Sequence, residues 1–370
     1  MNIAILGTRG IPNNYGGFEQ FAEILSVGLV KRGHTVSVYN PHFHPYKLSE
    51  YQGVKIINKW HPEPMLGSPA NFIFDYLCLR HAFYQKFDIY FELGYSTVIP
   101  CLFLLNVKNK PVVFNMDGLE WKRTKFSAST QKFMRWLEKV AAQKIQYMVS
   151  DNGGIRDYFL KTYQKDSVVI PYGANVFNEP TESILQHYQV EPYRYSMLIA
   201  RLEPENNIEM ILEGYKLSQD TEPFIVIGNH QTAYGQVLKN MFQDVSGIRF
   251  IGGLYNLPHL NNLRYFCKLY FHGHSVGGTN PSLVEAMGSG ALIAAHQNPF
   301  NAAVLAENAF YFSTSDDVSN LLSRYQEILK NRTAFVLANQ EQVKKVYSWE
   351  TIIDQYEFFF KQIVEKKIYS

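Results

Sequence analysis

HGHSVGGTNPSLVEAMGSG, residues 272–290, follows the apolar run LYF at 269–271. The run reads as a buried strand. A helix is expected to start at Pro281, since proline is favoured at the first helical position, where its missing N–H costs nothing. Between them, Gly277, Gly278, Thr279 and Asn280 form a turn whose backbone N–H groups are left to whatever sits above the helix. Unpaired donors and the helix dipole both favour negative charge, so the turn reads as an anion seat, for a phosphate above all. The competing reading is a plain strand-turn-helix with small residues for packing. Glu285 bears on the choice: it sits among Leu283, Val284, Ala286 and Met287, and a carboxylate in such company needs a partner. A ribose hydroxyl pair would serve, since one carboxylate accepts from two hydroxyls at once.

Outward from this stretch, short β-rich runs alternate with helical patterns along the whole chain, the signature of α/β parallel sheets. The first half predicts strands at 2–6, 35–39, 54–59, 88–92, 111–115, 145–149 and 167–170, with helices at 18–32, 70–85, 128–143 and 154–162. NVFNEPTES, 175–183, suits a linker. The pattern restarts with strands at 197–200, 224–227, 248–251, 269–272 and 291–295. A tail helix from Trp349 to Glu365 carries Phe358, Phe359 and Phe360 in succession, which spans more than one helical face and predicts packing against more than one surface. Two successive doubly wound units joined by a linker are expected to leave a cleft between them. Ligands in such sheets bind outside the carboxyl ends of the strands.

Composition narrows the class. At 370 residues, two domains are a better expectation than one. A hydrophobic content of 46% with 18% charged residues is that of a folded globular chain. Three cysteines without a CxxC pair give neither a disulfide framework nor a zinc pattern and fit a reducing, cytosolic setting. The longest apolar run found, VIPCLFLLN at 98–106, is far short of the ~20 residues of a membrane span. Residues 1–180 hold 20 Lys and Arg against 14 Asp and Glu, and residues 181–370 hold 15 against 19. The first half therefore faces the more anionic partner, unless the asymmetry is scatter.

Three further motifs follow predicted strands. GTRGIPNNYGGFEQF, 7–21, is a glycine loop with Gly16-Gly17 opening a helix and Glu19 in its first turn. It does not match the G-x-G-x-x-G dinucleotide pattern; its paired glycines either let a ligand approach the backbone or simply make a tight turn. NMDGLEWKRTKF, 115–126, sets Asp117-Gly118 at a strand end, with Glu120, Lys122 and Arg123 close behind. That is a place for a catalytic or acceptor-orienting carboxylate, or for an ordinary Asp-Gly turn. From 122 to 144 run seven basic residues against one acid, Glu138, interleaved with Trp121, Phe126, Phe133 and Trp136. Phe133, Trp136, Leu137, Val140 and Ala141 read as a core stripe, with Lys132, Arg135 and Lys139 along one flank that suits anionic lipid head groups or a pyrophosphate. No nucleic-acid motif is found. IARLEPENN, 199–207, places Arg201 at a strand end, able to clamp a phosphate or to make a loop salt bridge, with Glu203, Glu205 and Asn206 opening the next helix. No P-loop lysine, HExxH or D-x-D occurs, so diphosphate charge would be met by Arg, Lys and helix dipole rather than by a metal.

Two Rossmann-like halves, an Arg after the first strand of the second half, and a glycine turn feeding a helix with Glu285 resemble the GT-B glycosyltransferases of family 4. In the E-x7-E motif of that family the first position here is Gly277, and in its Arg-x4-Lys pair the lysine position is Asn206. Both departures fit a narrower subgroup. TRGIPNNYGGFE, NMDGLEWKR, SDNGGIRDYF, ARLEPENN and GGTNPSLVEAM, which span most of the chain in order, are similar to the bacterial rhamnosyltransferase-type members that build cell-surface polysaccharides such as lipopolysaccharide or capsule.

The resemblance implies an acceptor-side domain at 1–178, a nucleotide-sugar domain at 179–347 and a helix at 348–370 crossing back to the first. It implies retaining transfer of L-rhamnose from dTDP-β-L-rhamnose onto a saccharide, often polyprenyl-diphosphate-linked, with no cofactor and no metal. The site would be cytoplasmic, at the inner face of the cytoplasmic membrane. Asp117, Lys122 and Glu205 would be catalytic. Gly278, Thr279, Asn280 and Arg201 would hold the donor phosphates, with Asn206 beside them; Glu285 would hold the nucleoside sugar, and Gly16 and Gly17 would approach the diphosphate. Glu19, Glu120, Arg123, Lys132, Arg135 and Lys139 would face acceptor or membrane. The alternatives are a UDP- or GDP-linked donor, or a nucleotide-sugar epimerase or phosphorylase of the same architecture. A nicotinamide oxidoreductase would rest on the first glycine loop alone.

Overall fold

The computed structural model describes every residue except 68, 108, 117, 123–125, 369 and 370. The chain forms two compact units. The first comprises Met1–Trp121, Phe126–Tyr172 and the segment from Trp349 onward; the second comprises Gly173–Ser348, with Lys122 grouped with it.

In the first unit, β1 (Asn2–Leu6), β2 (Thr35–Pro41), β3 (Glu50–Tyr51), β4 (Val54–Lys59), β5 (Ile89–Leu93), β6 (Val112–Met116), β7 (Tyr147–Ser150) and β8 (Val168–Val169) make one sheet in the order β3-β4-β2-β1-β5-β6-β7-β8. Only β3 pairs antiparallel, with β4. β5 and β6 are buried at every position, as suits parallel strands covered on both faces. One face, with Ile3, Ile5, Val38, Phe91 and Val113, packs on Phe21 and Leu25 of the Gly17–Lys31 helix and on Tyr356 and Phe360 of the final Trp349–Ile368 helix. Gly28 lets these two helices approach closely, since a Cβ there would lie 2.4 Å from Cδ1 of Ile353. Of the three successive phenylalanines in the final helix, Phe360 is buried against Phe91 while Phe358 is exposed. The expected packing on several surfaces therefore holds for Phe360 but not for Phe358.

The second unit carries β9 (Ser196–Ile199), β10 (Phe224–Ile227), β11 (Ile248–Gly252), β12 (Tyr270–His272), β13 (Ile293–His296) and β14 (Phe310–Phe312), all parallel, in the order β11-β10-β9-β12-β13-β14. This is the doubly wound order, in which the winding reverses between the first strand and its later neighbour. The reversal falls between β9 and β12 here, and between β1 and β5 in the first unit. β3 and β14 have no counterpart in the strands expected from sequence; both are short edge strands. Residues 175–183 are tied to the second unit rather than left as a loose linker: the Phe177 N–H donates to the Gly288 carbonyl at 2.9 Å. Among the described residues no helix is long and apolar enough to cross a membrane.

Beneath the first sheet, Asp75 of the Ala70–Gln85 helix is fully buried, and burial raises its carboxyl from 3.8 to about 6 against a smaller lowering by a Thr97 hydrogen bond. A raised acid favours the protonated fold. Its contribution is therefore fully present below the unfolded value near 4 and is lost as pH rises through about 6. The expected loss across that window is roughly 3 kcal/mol. Melting temperature is predicted to fall between pH 4 and 6.5, and Asp75→Asn to flatten that slope; a variant with the wild-type slope contradicts the assignment.

Candidate functional site

The site is built at the switch point of the second unit, from the loops that leave β9, β12 and β13. Their geometry is set by side-chain amides acting on backbone carbonyls. Asn206 Nδ2 donates to the Arg201 carbonyl at 2.7 Å, closing the turn after β9, and Asn207 Nδ2 donates to the Gly273 carbonyl at 2.8 Å. Ser275 donates both its N–H, at 3.1 Å, and its hydroxyl, at 2.7 Å, to the Glu205 carbonyl. Asn298 and Asn301 Nδ2 converge on the His274 carbonyl at 3.0 and 3.1 Å. Gly273 is a glycine for packing reasons, because a Cβ there would lie 2.1 Å from the Asn206 carbonyl oxygen.

On this frame the Pro281–Gly288 helix begins as expected, with Asn280 as its cap, Oδ1 accepting from the Ser282 N–H at 2.9 Å. The Leu283 and Val284 N–H groups bond the Asn280 carbonyl. The first turn of the helix is thereby satisfied, and the seat moves one step upstream. The N–H groups of Gly277, Gly278 and Asn280 have no hydrogen-bond partner among the described residues, and Gly277 takes φ +127, a conformation that suits glycine. Thr279 is buried. Arg201 is exposed, and its guanidinium makes no hydrogen bond or ion pair among the described residues. A guanidinium fork on the loop after β9 and a row of open amides on the loop after the neighbouring β12 are groups that accept phosphate oxygens.

Several residues serve purposes other than those expected. Glu285 has a protein partner: Arg264, fully buried, donates to its Oε2 at 2.5 Å. The carboxylate thus needs no ribose to justify its burial. Arg264 lies 21 positions upstream in the chain, with no local signal joining the two. One N–H of the Asn206 amide is spent on closing the turn. Glu205 lies in the short turn Pro204–Asn206, its backbone holding Ser275, rather than in the first turn of a helix. Glu19 does not face an acceptor: it is buried and accepts from the Arg9 N–H at 2.8 Å and the Thr8 hydroxyl at 3.2 Å, which fixes the glycine loop. Above that loop Gly17 and Phe18 open the helix with N–H groups unbonded among the described residues. Asp117 and Arg123 lie outside the described residues. Glu120 and Lys122 form a single short turn with Trp121.

Phe133 and Trp136 leave the core stripe expected of them. They are 46% and 50% exposed and stack on each other at 5.9 Å between ring centroids, whereas Leu137, Val140 and Ala141 are buried. Lys132, Arg135 and Lys139 are exposed on the same helix, and the Arg135 guanidinium lies 5.0 Å over the Trp121 ring. Glu138 of that helix is buried and accepts from the Tyr158, Tyr163 and Tyr95 hydroxyls at 2.7, 2.8 and 3.3 Å. Glu92, unremarked in the sequence, is the next-to-last residue of β5, the strand that borders the switch point of the first unit. It is fully buried with both carboxyl oxygens unpartnered among the described residues, beside the Gly7 backbone. Burial and then the Asp75 charge push its carboxyl well above the usual range. Among the described residues no group of three or more His, Cys, Asp or Glu side chains is placed to hold a metal ion.

A family model described as a domain of unknown function, DUF1972, matches residues 1–175. No curated protein sequence matches the chain. Among solved structures the chain is similar to a sucrose-phosphate synthase from Thermosynechococcus elongatus, with TM-score 0.81 and 14% identity over 99% of both chains. It is similar also to Anabaena HepE, solved in complex with UDP and glucose, with TM-score 0.77 and 16% identity over 98% of this chain and all of that one. An α,α-trehalose 6-phosphate synthase from Burkholderia multivorans matches with TM-score 0.73 and 10% identity over 99% of both. The fold is GT-B. At these identities the likeness is one of fold, and the two units with their parallel sheets are what it covers.

Breaking the Arg264–Glu285 pair strands a buried guanidinium, which costs about 3–5 kcal/mol. Glu285→Ala is therefore predicted to lower the melting temperature of the ligand-free protein by several degrees. A ligand-free variant as stable as wild type contradicts a structural role for the pair.

Proposed function

We propose that the chain is a retaining glycosyltransferase that takes its sugar from a nucleoside diphosphate sugar. The observation that carries this is the pairing, at the switch point of the second unit, of exposed Arg201 with the open amides of Gly277, Gly278 and Asn280. Backbone amides held in place before the reaction stabilise the charge that develops on a leaving diphosphate, and a guanidinium adds a full positive charge. Support comes also from the fold: HepE, of the same fold, is solved with UDP and glucose.

The donor we favour is dTDP-β-L-rhamnose, on the joint similarity of the five motifs to rhamnosyltransferase-type members of family 4. A UDP- or GDP-linked sugar is the alternative. Gly16 and Gly17 would meet the diphosphate, and Asp117 with Lys122 would orient the acceptor hydroxyl. In a same-face transfer the leaving phosphate takes the acceptor proton, so Asp117 need only orient. The acceptor we favour is a polyprenyl-diphosphate-linked saccharide at an anionic membrane surface. Exposed Phe133 and Trp136, flanked by Lys132, Arg135 and Lys139, combine apolar anchors with cations, as interfacial helices do.

Thermal-shift titration with dTDP, dTDP-rhamnose, UDP, GDP and NAD tests the donor. A nucleotide at ~100 times its dissociation constant adds about 2.7 kcal/mol, and Arg201→Ala is expected to abolish the shift. Stabilisation by UDP or GDP alone discards rhamnose; stabilisation by NAD alone discards the transferase. Asp117→Asn is expected to stop transfer with donor binding retained. The protein is further expected to co-sediment with phosphatidylglycerol vesicles but not with phosphatidylcholine vesicles, and Phe133→Ser with Trp136→Ser to release it. Equal binding to both vesicles removes the membrane from the reading.

A further inference from the structure

We propose that the loops leaving β1, β2 and β4 form a saccharide-binding surface, and that the saccharide read there is an acceptor of several sugars, gripped far from the one that reacts. The name acceptor rests on the transferase reading above; the surface itself rests on the first unit alone.

The two outer loops are stitched together where their strands end. The His42 N–H donates to the Lys59 carbonyl at 2.8 Å, and His42 Nδ1 accepts from the His61 N–H at 3.1 Å. Trp60 lies between those two bonds, so its backbone is held on both sides, while the residue is 53% exposed. His61 is buried; its Nδ1 accepts from the Glu63 N–H at 3.1 Å, and its Nε2 donates to Asn71 Oδ1 at 3.0 Å. Exposed Phe43 packs edge-on against both the His42 and the His61 rings, 5.4 Å between centroids. The loop after β1 joins the cluster through Arg9, which pairs with Glu63 and lies 4.2 Å over the ring of exposed Tyr15.

These groups match the chemistry of a saccharide. A sugar ring offers a face of C–H groups to aromatic rings and a rim of hydroxyls, each able to donate and to accept. Three exposed rings stand here with a guanidinium–carboxylate pair, which sets donors and acceptors side by side. His42 adds a donor of fixed identity. With Nδ1 committed to the His61 amide, the neutral ring carries its hydrogen on Nε2, which has no partner among the described residues. Arg9 is balanced by Glu63, so it adds no net charge to attract an anionic head group. Rings on a backbone already held by hydrogen bonds also lose little freedom on binding.

The length of the acceptor follows from the sheet. In the reading above the reacting hydroxyl is oriented just past β6. Along the order β4-β2-β1-β5-β6 the end of β4 is four strand spacings from there, roughly 20 Å. A single sugar ring does not reach that far. A saccharide that touches Trp60 while reacting beside β6 is therefore a chain.

The experiment exposes the full-length protein to an array of single sugars to hexasaccharides built from hexoses, deoxyhexoses and hexosamines, followed by calorimetric titration of the strongest binder. Wild type is expected to bind trisaccharides or longer chains at least tenfold more tightly than the matching single sugar. Trp60→Ala is expected to lose tenfold or more of that affinity and Trp60→Tyr to recover most of it. Both variants are expected to keep the wild-type melting temperature and its shift with nucleotide. A wild type that binds no member of the array, a single sugar bound as tightly as its chain, or Trp60→Ala binding like wild type each contradicts the proposal. A Trp60→Ala protein that keeps its saccharide but loses phosphatidylglycerol vesicles marks the rings as a lipid contact and overturns it too. The donor reading fails separately: a wild type that no nucleotide stabilises, yet binds chains through Trp60, removes the transferase and leaves the saccharide surface.

Discussion

A parallel sheet ends all its strands on one edge, and the chain must turn there without leaving its carbonyls and amides unsatisfied in a crowded place. In the second unit that constraint is met by carboxamide side chains and one serine. Asn206, Asn207, Asn298 and Asn301 each spend an N–H on a backbone carbonyl of a strand-end loop, and Ser275 joins the β12 loop to the turn after β9. These bonds link three neighbouring strand ends into one frame. Because side chains satisfy the carbonyls, the amides of the Gly277-Gly278 turn stay available. A seat arranged before its ligand arrives loses less on binding than one that must be ordered.

The two units handle their switch points differently at the next level down. Each has, at or next to the end of the strand bordering the reversal, a fully buried ionisable side chain with no hydrogen-bond partner among the described residues: Glu92 in β5 and His272 in β12. Burial pushes both toward their neutral forms, raising the carboxyl and lowering the imidazole. A polar group left this way costs stability, and such costs gather where binding or chemistry needs them. Around His272 the neighbour is the stacked ring of His274. Around Glu92 the neighbour is the Gly7 backbone, beneath a loop that Glu19 and Asn40 already hold rigid.

Fold was the more legible part of the sequence because it rests on local pattern. Runs such as VVFNM and FIVI are apolar throughout and separate cleanly from amphipathic stretches, so the order of elements reads directly. The two-residue β3 and three-residue β14 carry too little pattern to read. Arg201 and the 277–280 turn stand out in the sequence by their position after strands. Tertiary partners do not, because those are set by contact in the fold: Arg264 under Glu285, and Asn298 and Asn301 on His274. The asparagines look like loop filler in one dimension. Phe133 and Trp136 fit a helical stripe with Leu137, Val140 and Ala141, and periodicity alone does not tell a buried stripe from one whose outer turns stand in solvent. Glu19 was misplaced for a related reason: an acid in a first helical turn satisfies either a ligand-side group or its own loop, and here it is the loop.

The central claim is that the loops after β9 and β12 together seat a nucleoside diphosphate. Hydrogen–deuterium exchange of the full-length protein with and without a saturating nucleotide tests it most directly, because amides that bond phosphate exchange more slowly. Slowed exchange concentrated in residues 201–207 and 273–280 is the predicted result. A nucleotide that binds while exchange in both segments is unchanged would contradict the claim and move the seat elsewhere in the chain.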